Sequence, residues 1–121
     1  MGDHIPHEEE PYISIIVTAH DRKEYLRYAI QSAIDQRLEK RLYEIVVVKN
    51  FDNKELDELI EENGIESLKA KKDSTIGEDL AAGIENSKGE VLCFLDDDDA
   101  FLPNKLKVVF DIFKNDDEIV Y

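Results

Sequence analysis

Short apolar runs alternating with segments of helical period constrain this chain more than any other feature. Ile13-Ser14-Ile15-Ile16-Val17-Thr18, Glu44-Ile45-Val46-Val47-Val48 and Val91-Leu92-Cys93-Phe94-Leu95 read as strands, with a weaker strand around Ile65 to Ala70. Between and after them lie four apolar stripes at helical spacing. They are Tyr25, Leu26, Ala29, Ile30, Ala33 and Ile34; Leu56, Leu59 and Ile60; Leu80, Ala81 and Ile84; and Leu106, Val109, Phe110 and Phe113. Asp21 with Glu24, and Thr75 with Glu78, have capping-box spacing. Asp52 or Asn53 opens the second helix and Gly64 stops it, while Pro103 suits the first turn of the last. The pattern predicts an α/β fold, a three-layer α/β/α sandwich around a mainly parallel, Rossmann-like sheet with helices on both faces. Right-handed crossovers then bring every strand's carboxyl end to one rim.

That rim collects the polar residues. His20 and Asp21 follow the first strand, Lys49 to Asn53 the second, and Asp96 to Asp99 the last strong one. Ligands of open α/β sheets bind at this rim. Adjacent carboxylates repel one another, and a hard divalent cation carrying a phosphate ligand relieves the repulsion. The Leu95-Asp96 junction therefore reads as a cation-assisted site for a phosphorylated donor, set against the plainer reading of a solvated acidic turn.

Composition removes other classes. A chain of 121 residues, 42% hydrophobic and 36% charged, is expected to form one soluble domain. Its net charge of −14 argues against nucleic acid as a partner and against docking on anionic lipid. Cys93 is the only cysteine, so no internal disulfide or cysteine zinc cluster is available, and its strand position makes it a core residue. No apolar stretch approaches a membrane span and no signal peptide opens the chain, which predicts a cytoplasmic protein, peripheral at the membrane at most. Residues 1–11, with His4 and His7, read as a disordered leader. Ile119-Val120-Tyr121 reads as the start of a further strand.

Taken in order, these segments resemble the family 2 glycosyltransferases, in the donor-binding half of their GT-A fold. The resemblance is carried by Ser14 to Arg22 with Tyr25, Leu26, Ser32 and Gln36, by Tyr43 to Val48, and by Gly83 through Gly89 to Asp99. Leu102-Pro103-Asn104-Lys105-Leu106 continues it. The resemblance implies that residues 12–121 form the nucleotide-sugar-binding half of a truncated GT-A domain. Asp96 and Asp98 would be the ends of the DxD motif and would hold Mn2+ or Mg2+ against a donor diphosphate. Thr18, Ala19, His20 and Asp21 would line the nucleotide, with His20 against the base. Asn50, Asp52, Asp96 and Asp97 would complete its surroundings, and Asp97 and Asp99 would either tune the site or face water.

The expected activity is transfer of a sugar from a nucleotide-diphosphate sugar, a UDP-sugar foremost, to a glycan, lipid or protein acceptor. The chain departs from the family at Lys49-Asn50-Phe51-Asp52, where an acidic pair and Gly-Ser are usual, and at Leu80-Ala81, where Arg-Asn is usual. The catalytic base is expected beyond Tyr121, so this polypeptide alone should transfer no sugar. An exposed sheet edge would favour pairing of two chains. The alternative reading is a non-catalytic GT-A-like interaction module. A receiver domain would need its acidic pair after the first strand, and a haloacid-dehalogenase-type phosphatase its DxD there. An EF-hand loop wants glycine where Phe101 stands.

Overall fold

The computed structural model describes residues 11–115. In it β1 (Ile13–Ala19), β2 (Tyr43–Lys49), β3 (Glu66–Lys69) and β4 (Val91–Asp96) pair in the order β3-β2-β1-β4, all parallel. Helices α1 (Leu26–Ile34), α2 (Lys54–Glu62) and α3 (Ile76–Glu85) connect them, and α4 (Lys105–Asn115) follows β4. The expected α/β fold and parallel sheet are what the chain adopts. Most of the expected leader and the whole Ile119–Tyr121 strand lie outside the described residues.

Alternation along the strands gives the sheet two unlike faces. Ile13, Ile15 and Val17 of β1, with Tyr43, Ile45 and Val47 of β2 and Val91 and Leu95 of β4, form the main core. Leu26, Ala29, Ile30 and Ala33 of α1, Leu56 and Ile60 of α2, and Leu106 of α4 close it. Among the described residues the opposite face is covered by α3, which lies across β1 and β2. There Gly83 permits a close approach, since a Cβ on it would stand 2.6 Å from Ile16 Cγ2. Register places Phe94 beside Ile16 on that face, and its side chain is half exposed. Helices therefore lie on both faces as expected, with α3 over β1 and β2 and Phe94 of β4 left half exposed among the described residues. A groove of ≈ 510 Å³ runs along β4 beside α4, lined by Cys93, Phe101, Val109 and Phe113.

Three local expectations need correction. Asp21 does not cap α1, which begins at Leu26 after Tyr25 with no side-chain cap. Asp21 instead takes a left-handed φ of 62° and is held by Asn50, so a tertiary contact outcompetes the capping box. Tyr25, placed in the buried stripe, is exposed. In α3 the buried residues are Asp79 and Gly83, whereas Ala81 and Ile84 are exposed. The helix rotates to bring its smallest residue onto Ile16, and Ile84 turns outward.

Other ends form as read. Thr75 Oγ1 accepts from the Glu78 N–H at 3.1 Å, and Glu78 Oε1 accepts from the Thr75 N–H at 2.8 Å. Asn53, not Asp52, caps α2 by accepting from the Leu56 N–H. Gly64 follows α2 with φ 65°. Pro103 lies in the turn that leads into α4, ahead of its first residue. Ser32 of α1 and Gln36 just beyond its end anchor the segment after β4. Ser32 Oγ accepts from the Phe101 N–H, and buried Gln36 donates to the Leu102 carbonyl while accepting from the Leu106 N–H. No helix among the described residues is long and apolar enough to cross a membrane.

Candidate functional site

The aspartate run folds as a turn at the end of β4, closed by a hydrogen bond from the Asp99 N–H to the Asp96 carbonyl at 3.1 Å. The turn separates its side chains. Asp96, Asp98 and Asp99 are exposed, with one carboxylate oxygen of each within 4.8 Å of the others. Asp97 turns the other way and is 7% exposed. Arg22 meets it with both ends of its fork, Nη2 at 2.7 Å from Oδ1 and Nε at 3.3 Å from Oδ2. The same Nη2 stands 3.8 Å from Asp98 Oδ2. The hydrogen bond it donates to Asp97, then that carboxylate's charge, pushes Arg22 above its ordinary value. A buried carboxylate needs such a partner.

Beside this turn lies a cleft of ≈ 360 Å³ lined by Thr18, Ala19, His20, Arg22, Ile76, Asp79, Asp96, Asp97 and Asp98. The parallel sheet explains the convergence, because β1 and β4 are neighbours and Thr18 is paired with Asp96. Six of the eight residues expected around the nucleotide belong to this rim region as a cleft wall or its border: Thr18, Ala19, His20, Asp96 and Asp97 line it, and Asp21 adjoins His20. Asp98, expected at the metal, lines it too.

Asn50 and Asp52 are not among the lining residues. Asn50 accepts from the Asp21 N–H at 2.7 Å and donates to Asp21 Oδ1 at 2.8 Å, which occupies both ends of its amide. Asp52 points to Lys69, whose Nζ is 3.0 Å away. That hydrogen bond, then the lysine's charge, holds the Asp52 carboxyl below its ordinary value.

The sequence reading missed Arg22, Ile76 and Asp79 as cleft residues. Arg22 carried a signal, being a cation two residues beyond His20 on a rim of carboxylates. Asp79 carried a fainter one, since it shares a helix face with Gly83 four residues later.

The exposed carboxylates suit a hard cation. Their donor set is all oxygen, and ions such as Mg2+ and Ca2+ bind oxygen at about 2.0–2.6 Å, which spans ligands spaced this closely. The surplus negative charge of the cleft also repels a bare diphosphate, so a cation would serve both groups.

Solved structures of GT-A glycosyltransferases superpose on this parallel α/β unit. TarS of S. aureus matches with a TM-score of 0.76 at 19% identity, over 85% of this chain and 19% of that one. A shorter form of TarS (residues 1-349) in complex with UDP-GlcNAc gives 0.69 at 20% identity, over 85% and 31%. The mannosyltransferase PcManGT from Pyrobaculum calidifontis, in complex with GDP-Man and Mn2+, gives 0.62 at 14%, over 80% and 30%. The Glycosyl transferase family 2 profile matches residues 14–121, and the chain belongs to that family. An uncharacterized glycosyltransferase of Rickettsia felis is 35% identical over 118 residues, covering 92% of this chain and 19% of its own length. One from Methanocaldococcus jannaschii is 26% identical over 117 residues, covering 92% and 40%. The chain thus spans well under half the length of these relatives.

Proposed function

We propose that this chain binds a nucleotide-sugar donor, a UDP-sugar foremost, at the Thr18–Asp98 cleft together with Mn2+ or Mg2+, as the donor half of a sugar transferase. The observation that carries the reading is the convergence of Asp96 and Asp98, with Asp99 beside them, at a cleft that His20 also lines. Asp96 and Asp98 would hold the cation, and Asp99 is close enough to join them. The bound cation would supply Lewis-acid stabilisation of charge on the leaving diphosphate. Arg22 pairs with Asp97 beside these ligands, and His20 offers a ring face to the base. Residues 12–121 constitute the donor-binding unit, and the base that deprotonates an acceptor hydroxyl is expected beyond Tyr121.

The test is calorimetric titration of the chain with UDP and with GDP, each with and without Mn2+. Metal-dependent binding is expected, with UDP tighter. Asp98→Asn should weaken it by more than about tenfold, since even outer partners of a metal site are worth that much. Binding that ignores the metal, or no binding, leaves the non-catalytic module as the better reading. Transfer of sugar by the 121-residue chain alone would contradict the placement of the base.

A further inference from the structure

The deep wall of the cleft carries a carboxylate that the DxD reading does not use. Asp79 is 3% exposed, and a charge so buried needs partners. Ser74 Oγ is 2.7 Å from Asp79 Oδ1 but also 2.9 Å from the Lys71 carbonyl. One hydroxyl proton serves two acceptors, so Asp79 is at best half satisfied by it. Its other oxygen stands 3.7 Å from His20 Nδ1. That nitrogen is the one buried side-chain polar atom without a hydrogen-bond partner among the described residues. An under-satisfied acceptor and an orphaned nitrogen thus face each other.

The far side of the ring is compatible with a proton on Nδ1 but does not impose one. Asn50 Oδ1 accepts from the Asp21 N–H, so its Nδ2 is the donor. One Nδ2 proton goes to Asp21 Oδ1 at 2.8 Å, leaving the other to face His20 Nε2 at 3.4 Å. At 3.4 Å that contact permits Nε2 to accept without fixing the tautomer. Asp21 Oδ2, 3.5 Å from Nε2, pulls the other way, but it is two-thirds exposed and screened by water.

We propose that Asp79 is a positioning residue: its carboxylate holds His20 protonated at Nδ1 and fixes the ring as the wall against which the donor's nucleobase lies. The purpose assigned to the pair rests on the donor reading of the cleft. The pair itself rests only on the geometry of β1, α3 and the loop after β2. Gly83 makes it available, because the close approach of α3 to Ile16 carries Asp79, one turn earlier, to the end of β1.

The test uses the 15N-labelled chain, with two-bond 1H–15N spectra of its imidazoles at about pH 8, where histidine is neutral. His20→Gln separates the His20 signals from those of His4 and His7. The parent should show the Nδ1–H tautomer at His20. Asp79→Ala should return it to the Nε2–H form that free imidazole side chains prefer, and Asp79→Asn, whose amide oxygen still accepts, should keep it. In calorimetry with UDP or GDP and Mn2+, Asp79→Ala should weaken binding on the order of tenfold, the effect of one charge-assisted hydrogen bond, with Asp79→Asn retaining most of the affinity. An Nε2–H tautomer in the parent, or an unchanged tautomer in Asp79→Ala, overturns the proposal whatever the affinities do. The parent spectrum decides this even if the alanine variant does not fold. A parent that binds neither nucleotide overturns the donor reading and the purpose of the pair, while the tautomer still reports whether Asp79 holds the ring.

Discussion

Replacing Gly83 by alanine probes the contact that sets the depth of α3. The added Cβ would stand 2.6 Å from Ile16 Cγ2 and 3.4 Å from Val48 Cγ2. Carbon atoms rest at about 3.5–4.0 Å, so a displacement of roughly 1 Å is required. Ile16 is fully buried and β-branched, with little χ1 freedom to yield. The helix must therefore lift, and overpacking of this sort costs about 1–3 kcal/mol. Alanine's helix propensity offsets at most about 1 kcal/mol. The net is destabilisation by about 1 kcal/mol, reaching about 2 if the sheet does not relax. Gly77→Ala is the control in the same helix, because its Cβ would meet only Thr75 Oγ1 at 3.8 Å. It should stabilise by about 0.5–1 kcal/mol. Urea unfolding followed by far-UV circular dichroism, with unchanged m-values, reads both. The expected order is Gly77→Ala, parent, Gly83→Ala. A Gly83→Ala variant as stable as Gly77→Ala would refute the close-approach argument, since the substitutions differ only in what the new methyl meets.

Two further perturbations address the rim. The Asp52 carboxyl lies below its ordinary value because of Lys69; a lowered folded value stabilises at pH above the unfolded value and the effect is lost as pH falls through the folded one. Asp52→Asn should therefore lower the thermal midpoint slightly at neutral pH, as exposed pairs do, with the gap to the parent closing in acid below the ordinary value of 3.8. Its nucleotide affinity should match the parent's, and a large loss would place Asp52 back in the site. Arg22→Gln removes a guanidinium 3.8 Å from Asp98 and should tighten Mn2+ alone by a few-fold at low ionic strength. Weaker Mn2+ binding in that titration would mean that Arg22 acts by shaping the turn through Asp97.

The strands were legible because their apolar runs are long and bounded by charge, and the Thr75 box because both its bonds are local. What the sequence hid depends on contacts across the chain. Asp21 has the residue type of a cap, yet Asn50, 29 positions away, captures it. Apolar patterning selected Ala81 and Ile84 in α3 because it cannot score the absence of a side chain at Gly83. The turn of α3 that follows from Gly83 then buries Asp79, a residue any such pattern sends to solvent. The aspartate run was readable as a cluster at the strand-end rim, but not which of its members would turn inward to Arg22.

The two outer strands set different terms for enlarging this sheet. At β3 a newcomer meets a ladder of four residues with Glu66 and Lys69 at its ends, a short charged border that discourages annexation. Along β4 the outer backbone carries no strand among the described residues, and four of its six positions, Val91 to Phe94, line an oily trough. Extension is thus directional. Any strand that joins at β4 lengthens the wall on which Asp96 stands, so the neighbour that completes the sheet would also border the carboxylates.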